Sequence, residues 1–259
     1  MTSRVPGRAS QEGRGASPFD LQVYTARAGV GRGWIPMTSI GSSKRLRPFE
    51  VVVLAAPVLW VVLAILHPGG AGDEPAPYEG IADEANKWIF VHVSQLVLTP
   101  LIAVGVWMLL DGIRSVAATV ARALLVVWLV FFSAFDAIAG IAVGVLTRHA
   151  NALAGEEREA VVGAIDFLFQ DSQLAGGNNF SVLGNLGQFS WVVLVMAATV
   201  ALWRAGVSRL IVGATVLTVL FATHAGYMAA VGLIALFVAE LLTFRARSAE
   251  SAPRQAVPA

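Results

Sequence analysis

The chain has 259 residues, 56% of them hydrophobic and 14% charged, with a mean hydropathy of +0.70 and a formal net charge of +1. A soluble domain carries about a quarter charged residues, so this composition excludes an ordinary water-facing globule and points to a surface solvated largely by lipid. There is no cysteine, which excludes disulfides, iron–sulfur clusters and thiolate metal sites and leaves any metal or haem to imidazole, carboxylate or methionine.

Residues 1–49 are rich in Gly, Ser, Pro and Arg and have no apolar periodicity, so they read as a disordered basic tail. Met37 offers a second plausible start, with Lys44, Arg45 and Arg47 close behind. Five apolar blocks follow: Val51–Leu66, Trp88–Leu110, Ala117–Leu146, Phe180–Trp203 and Val207–Phe244. A helix needs about 20 residues to cross the hydrocarbon. The last block is nearly twice that length and is broken only by His224-Ala225-Gly226-Tyr227, a turn-like string that divides it into a helical hairpin. The expected fold is therefore all-α: a polytopic transmembrane bundle of about six spans, at 50–67, 88–110, 118–147, 180–203, 208–224 and 228–244, with a disordered tail over 246–259. The competing reading of the first block is a cleavable signal peptide that begins at Met37. Between the third and fourth spans, Val161, Val162, Ile165, Leu168 and Phe169 recur at helical spacing. That pattern suggests an interfacial helix on the outer surface, ending at the turn Gly176-Gly177-Asn178-Asn179.

Charge sets the orientation. With six spans, fifteen of the eighteen Lys and Arg residues fall on one side: eight in the N-terminal tail, then Arg114, Arg122, Arg204, Arg209, Arg245, Arg247 and Arg254. Lys87, Arg148 and Arg158 fall on the other, among a larger number of Asp and Glu residues. The positive-inside rule then places both termini in the cytoplasm of a plasma-membrane protein. Five spans would move Arg245, Arg247 and Arg254 outside, so six is preferred.

This topology puts all four histidines on the outer side: His67 ending span 1, His92 one turn into span 2, His149 after span 3 and His224 ending span 5. Gln95 lies one turn below His92 on the same face. Imidazoles from neighbouring helices could ligate haem or a divalent metal, titrate with external pH, or simply hydrogen-bond helix ends at the interface. Asp136 is the sharper signal, because it lies about 15 Å from the outer end of its helix by the helical rise. An ionised carboxylate facing lipid there costs on the order of 3 kcal/mol, so Asp136 is expected inside the bundle, protonated or paired. Ser133, Asp136, Gly140 and Gly144 share its face, and Gly140 and Gly144 form a GxxxG pattern that permits close helix approach. Glu240 reads as snorkelled or paired with Arg245 near the inner end of the last span. Trp88, Trp107 and Trp203 fit interfacial belts, whereas Trp60 and Trp128 sit deeper.

No phosphate-binding glycine loop, GxSxG or HExxH string occurs, so no soluble-enzyme chemistry is indicated. The strings Val91-His92-Val93-Ser94-Gln95-Leu96-Val97-Leu98-Thr99-Pro100, Phe132-Ser133-Ala134-Phe135-Asp136-Ala137-Ile138-Ala139-Gly140 and Asp171-Ser172-Gln173-Leu174-Ala175-Gly176-Gly177 resemble those of a family of multi-pass integral membrane proteins from high-GC bacteria. No activity is attached to that family, so the resemblance implies a membrane fold and adds no site residues. The first functional reading is a non-enzymatic carrier, sensor or complex subunit with a buried Asp136. Its partners would be the lipid bilayer and a second copy or another membrane subunit, with no role for nucleic acid. The alternative is a haem- or metal-binding redox protein or enzyme that uses His92 and His224, with His149 and His67 as further ligands.

Overall fold

The structure, a computed structural model, describes residues 46–68, 77–171 and 181–250. The basic tail up to residue 45, the Gly176-Gly177-Asn178-Asn179 turn and residues 251–259 lie outside the described residues. Among the described residues every regular element is helical: α1 (Pro48–Leu66), α2 (Pro77–Ile81), α3 (Ala85–Leu109), α4 (Val116–Phe135), α5 (Val143–Ala150), α6 (Gly155–Asp166), α7 (Val182–Arg204), α8 (Arg209–Leu217) and α9 (Gly226–Glu250). A 3-10 turn at Ala82–Glu84 joins α2 to α3, and a π-helical segment, Asp136–Ala142, joins α4 to α5. Serine hydroxyls start three of the helices. Ser115 accepts from the Ala118 N–H, Ser181 from Gly184 and Ser208 from Ile211, which satisfies donors that the first helical turn leaves free.

Five continuous helical runs, Pro48–Leu66, Pro77–Leu109, Val116–Ala150, Val182–Arg204 and Gly226–Ser248, are long and apolar enough to cross a membrane. Their outward faces carry exposed Val97, Phe189 and Ile234, the arrangement expected where lipid rather than water is the solvent. The chain is a multi-pass helical membrane protein. Arg209–Thr223 is a sixth, shorter apolar segment. Its last turn tightens to a 3-10 helix over Thr218–Thr223, and His224 then takes a left-handed conformation with φ 47° before Gly226 at φ 74°. This reversal lays the segment back along α9. Gly232 allows the close approach, since a Cβ there would meet the backbone of Leu220 and Phe221. The long last block is thus a hairpin, not one tilted helix.

The helices alternate in direction and define two ends. The starts of α3, α7 and α9 and the ends of α1, α5 and α8 with its 3-10 turn form what we term the histidine end. The opposite end carries Arg122, Arg204, Arg209 and Arg247. There the Arg122 guanidinium donates to the carbonyls of Leu110 and Ile113 at 2.6 and 3.2 Å. Arg247 donates to those of Met108 and Asp111 at 2.6 and 2.9 Å. Both side chains satisfy carbonyls where α3 stops, which are without helical partners.

The middle of the bundle is aromatic. Trp60 of α1, Trp128 and Phe132 of α4, Trp191 of α7 and Phe221 before the reversal are all buried. Their ring centroids are 4.8 Å apart for Trp128–Trp191, 4.9 Å for Trp60–Phe221 and 5.1 Å for Trp191–Phe221. The Trp191 indole N–H donates to the Thr218 carbonyl at 2.9 Å. At the histidine end, α6 turns its apolar stripe inward. Ile165 and Phe169 pack with Tyr78, Ile81, Trp88, Ala139 and Val143, so α2 and α6 form a cap over this end. Tyr78 fastens the cap, donating to Asn151 at 2.7 Å and accepting from Arg158 at 2.9 Å.

Candidate functional site

Beneath the cap, three helices bring three of the four histidines together. His67 follows α1, His92 is in α3 and His224 is the left-handed residue of the hairpin turn. The His67 ring centroid lies 5.0 Å from that of His92 and 5.8 Å from that of His224. Trp88, one turn before His92, adds a fourth ring at 4.5 Å from His92 and 5.1 Å from His67. His149 does not join them. It sits exposed near the end of α5, because its helix face turns away from α3.

The hydrogen bonds assign the imidazole nitrogens. His92 Nδ1 is 2.8 Å from the Trp88 carbonyl and His67 Nδ1 is 2.9 Å from the Pro68 carbonyl. A carbonyl only accepts, so each Nδ1 carries the hydrogen and each Nε2 of a neutral ring is a bare acceptor. Those two Nε2 atoms face each other at 3.4 Å, the outer limit of hydrogen-bond distance. Two acceptors in that position repel unless a proton or other cation lies between them.

Asp136 approaches the same His92 nitrogen. It opens the π-helical segment, is 1% exposed, and places Oδ1 4.0 Å from His92 Nε2. Neither of its carboxyl oxygens has a hydrogen-bond partner among the described residues. A π segment inserts an extra residue into the helical turn and re-aims the side chains that follow, and such insertions are frequent at functional sites. Here the backbone around Asp136 is held by α3. The Trp88 indole donates to the Gly140 carbonyl at 2.7 Å. Gly140 itself lies against the His92 ring, where any Cβ would collide with it, and Gly144 faces Trp88 and Ile89 in the same way. Ser133, also expected on this face, is half-buried at the end of α4. Trp88 is therefore not an exposed belt residue but part of the site, whereas Trp107 and Trp203 are exposed at the other end.

Gln95 keeps its expected place below His92, and the expectation for Glu240 changes. Gln95 is fully buried below His92, with both amide atoms unpartnered among the described residues. Glu240 is fully buried too, with neither carboxyl oxygen hydrogen-bonded among the described residues, and Arg245 is exposed. Glu240 points into the bundle at Gly105 and Val53 instead of snorkelling.

The histidine cluster bears on the cofactor readings. Among the described residues no group of three His, Asp or Glu side chains is arranged to hold a metal ion. Bis-axial ligation of a haem by His92 and His224 would require displacing His67, which packs against His92 and His224. Compared with protein-family models, curated proteins and solved structures, the chain matches none.

Proposed function

We propose that this chain is a non-enzymatic membrane protein driven by protons, a proton-coupled carrier or pH sensor, in which His67, His92 and Asp136 bind the proton. One observation carries the reading: two imidazole nitrogens that can only accept face each other at 3.4 Å, with an unpartnered carboxyl 4.0 Å from one of them. A single proton between the rings turns the repulsion into a charge-assisted hydrogen bond, and Asp136 is the counter-charge. An isolated intramembrane ionisable group is costly, and proton relays are where membrane proteins keep them.

Among the described residues, the other charged groups around the node are engaged elsewhere or exposed. Lys87 pairs with Glu84 at 3.0 Å, Asp166 accepts from the Tyr78 backbone, and Arg148 and His149 of α5 are exposed. His224 reaches the node through its ring contact with His67. With the arginine end in the cytoplasm, as the positive-inside rule requires, the node faces outward and both termini lie inside.

Trp88 is a built-in reporter, because its ring centroid lies 4.5 Å from that of His92 and an imidazolium quenches indole emission. Tryptophan fluorescence of the purified protein is expected to change with pH, and Asp136→Asn is expected to abolish that change while leaving the helical content intact. An unaltered pH response in Asp136→Asn removes Asp136 from the mechanism.

A further inference from the structure

The node is at one end of the bundle, and nothing in it requires a second carboxyl about 20 Å away along α3, the rise from His92 to the level of Gly105. Yet Glu240 is there, fully buried, with both oxygens unpartnered among the described residues. Its seat is specific. Gly105 of α3 lacks a side chain where the Glu240 carboxyl lies, and Val53 of α1 closes the same spot, so the carboxyl is enclosed in the seam of α1, α3 and α9. A structural role predicts a partner for so buried a group, because an unsatisfied carboxyl costs more than an apolar replacement. Among the described residues no cation stands opposite. Glu50 is the one titratable group of α1 and accepts from the Arg47 N–H at 2.8 Å; α3 has none between His92 and its end. On α8 the one charged residue is the exposed Arg209, and on α9 Arg247 is bound to the end of α3.

Between the two carboxyls, the buried face of α3 is polar from His92 to Thr99 and apolar at Ile102 and Ala103, nearer Glu240. His92, Gln95 and Thr99 are all buried, and Gln95 has no side-chain partner. We propose that Glu240 is a second proton-binding site, working in series with the histidine node so that protons cross the bundle along this face of α3. Asp136 and Glu240 would load and unload in turn, with Gln95 and Thr99 serving the part of the route nearer the histidine node. The proposal rests on the reading of the node as a proton site.

The test is proton flux into vesicles. The full chain is reconstituted in liposomes holding a pH-sensitive dye, and a potassium diffusion potential drives protons inward. Wild type is expected to exceed protein-free vesicles, and Glu240→Gln and Asp136→Asn are each expected to fall to the protein-free level. Glu240→Asp keeps the carboxyl and is expected to retain flux, which separates loss of the proton site from damage to packing. Flux retained in Glu240→Gln but lost in Asp136→Asn overturns the role of Glu240 and leaves the node reading standing. Equal loss in Glu240→Gln and Glu240→Asp overturns it as well, since packing then explains the effect. If wild type itself shows no flux above empty vesicles, the route across the bundle is wrong, and the fluorescence response of Asp136→Asn still decides the node independently.

Discussion

Trp191→Ala is expected to be the most destabilising single truncation in the bundle, at about 3–5 kcal/mol, the range for removing a buried large aromatic. The loss has two sources. The side chain is 1% exposed and packs against Trp128 and Phe221, so its removal leaves a cavity in the aromatic centre. Its indole N–H also serves the Thr218 carbonyl at 2.9 Å, just where the helix after α8 tightens into its 3-10 turn. In a membrane the apolar transfer term between helices is small, so close packing carries more of the association energy than it would in water. Trp191→Phe keeps most of the volume and loses the hydrogen bond, so it is expected to cost about 0.5–1.5 kcal/mol on the scale of a typical hydrogen bond. Unfolding in detergent with increasing denaturant measures both. A Trp191→Ala protein as stable as wild type contradicts the aromatic centre described above.

The second large effect concerns Gly140. A leucine there must displace the His92 ring, and the ring has nowhere easy to go, being packed against Trp88 and His67. Overpacking of this kind costs about 1–3 kcal/mol, and Gly140→Leu is expected to lose the fluorescence response to pH as well. Gly163→Ala is the matching control, because a Cβ on that glycine of α6 meets nothing nearby. Its stability and pH response are expected to equal or slightly exceed those of wild type, since alanine is the better helix former. If Gly140→Leu behaves like Gly163→Ala, α3 and the π segment are not in the close contact that positions Asp136 beside His92.

These two substitutions also mark what could be read from residue order. The apolar blocks announced the helices, because their length is dictated by the bilayer and their composition by lipid. His224-Ala225-Gly226-Tyr227 marked the hairpin, where a left-handed residue is needed to reverse the chain. Asp136 inside the bundle followed from the cost of a carboxylate in hydrocarbon. The partners of that carboxyl did not follow. His67 and His92 are 25 positions apart, and only helix rotation decides that their Nε2 atoms meet while His149 turns away. The π segment has no sequence signature, and it sets how Asp136 is aimed. The seat of Glu240 depends on Gly105, a residue in another helix whose contribution is the absence of a side chain. For that reason Glu240 reads from the sequence as snorkelled or paired with Arg245. The role of Trp88 was visible only as its spacing of four from His92, which places both on one face.

The central claim, a proton held between His67 and His92 beside Asp136, is open to direct observation by nitrogen NMR of histidine-labelled protein in lipid nanodiscs. His67 and His92 are expected to titrate together, with both Nδ1 atoms protonated throughout and a hydrogen-bond coupling linking the two Nε2 atoms, and Asp136→Asn is expected to remove this coupling. Two rings that titrate independently, with Nε2–Nε2 coupling absent at every pH, would contradict it.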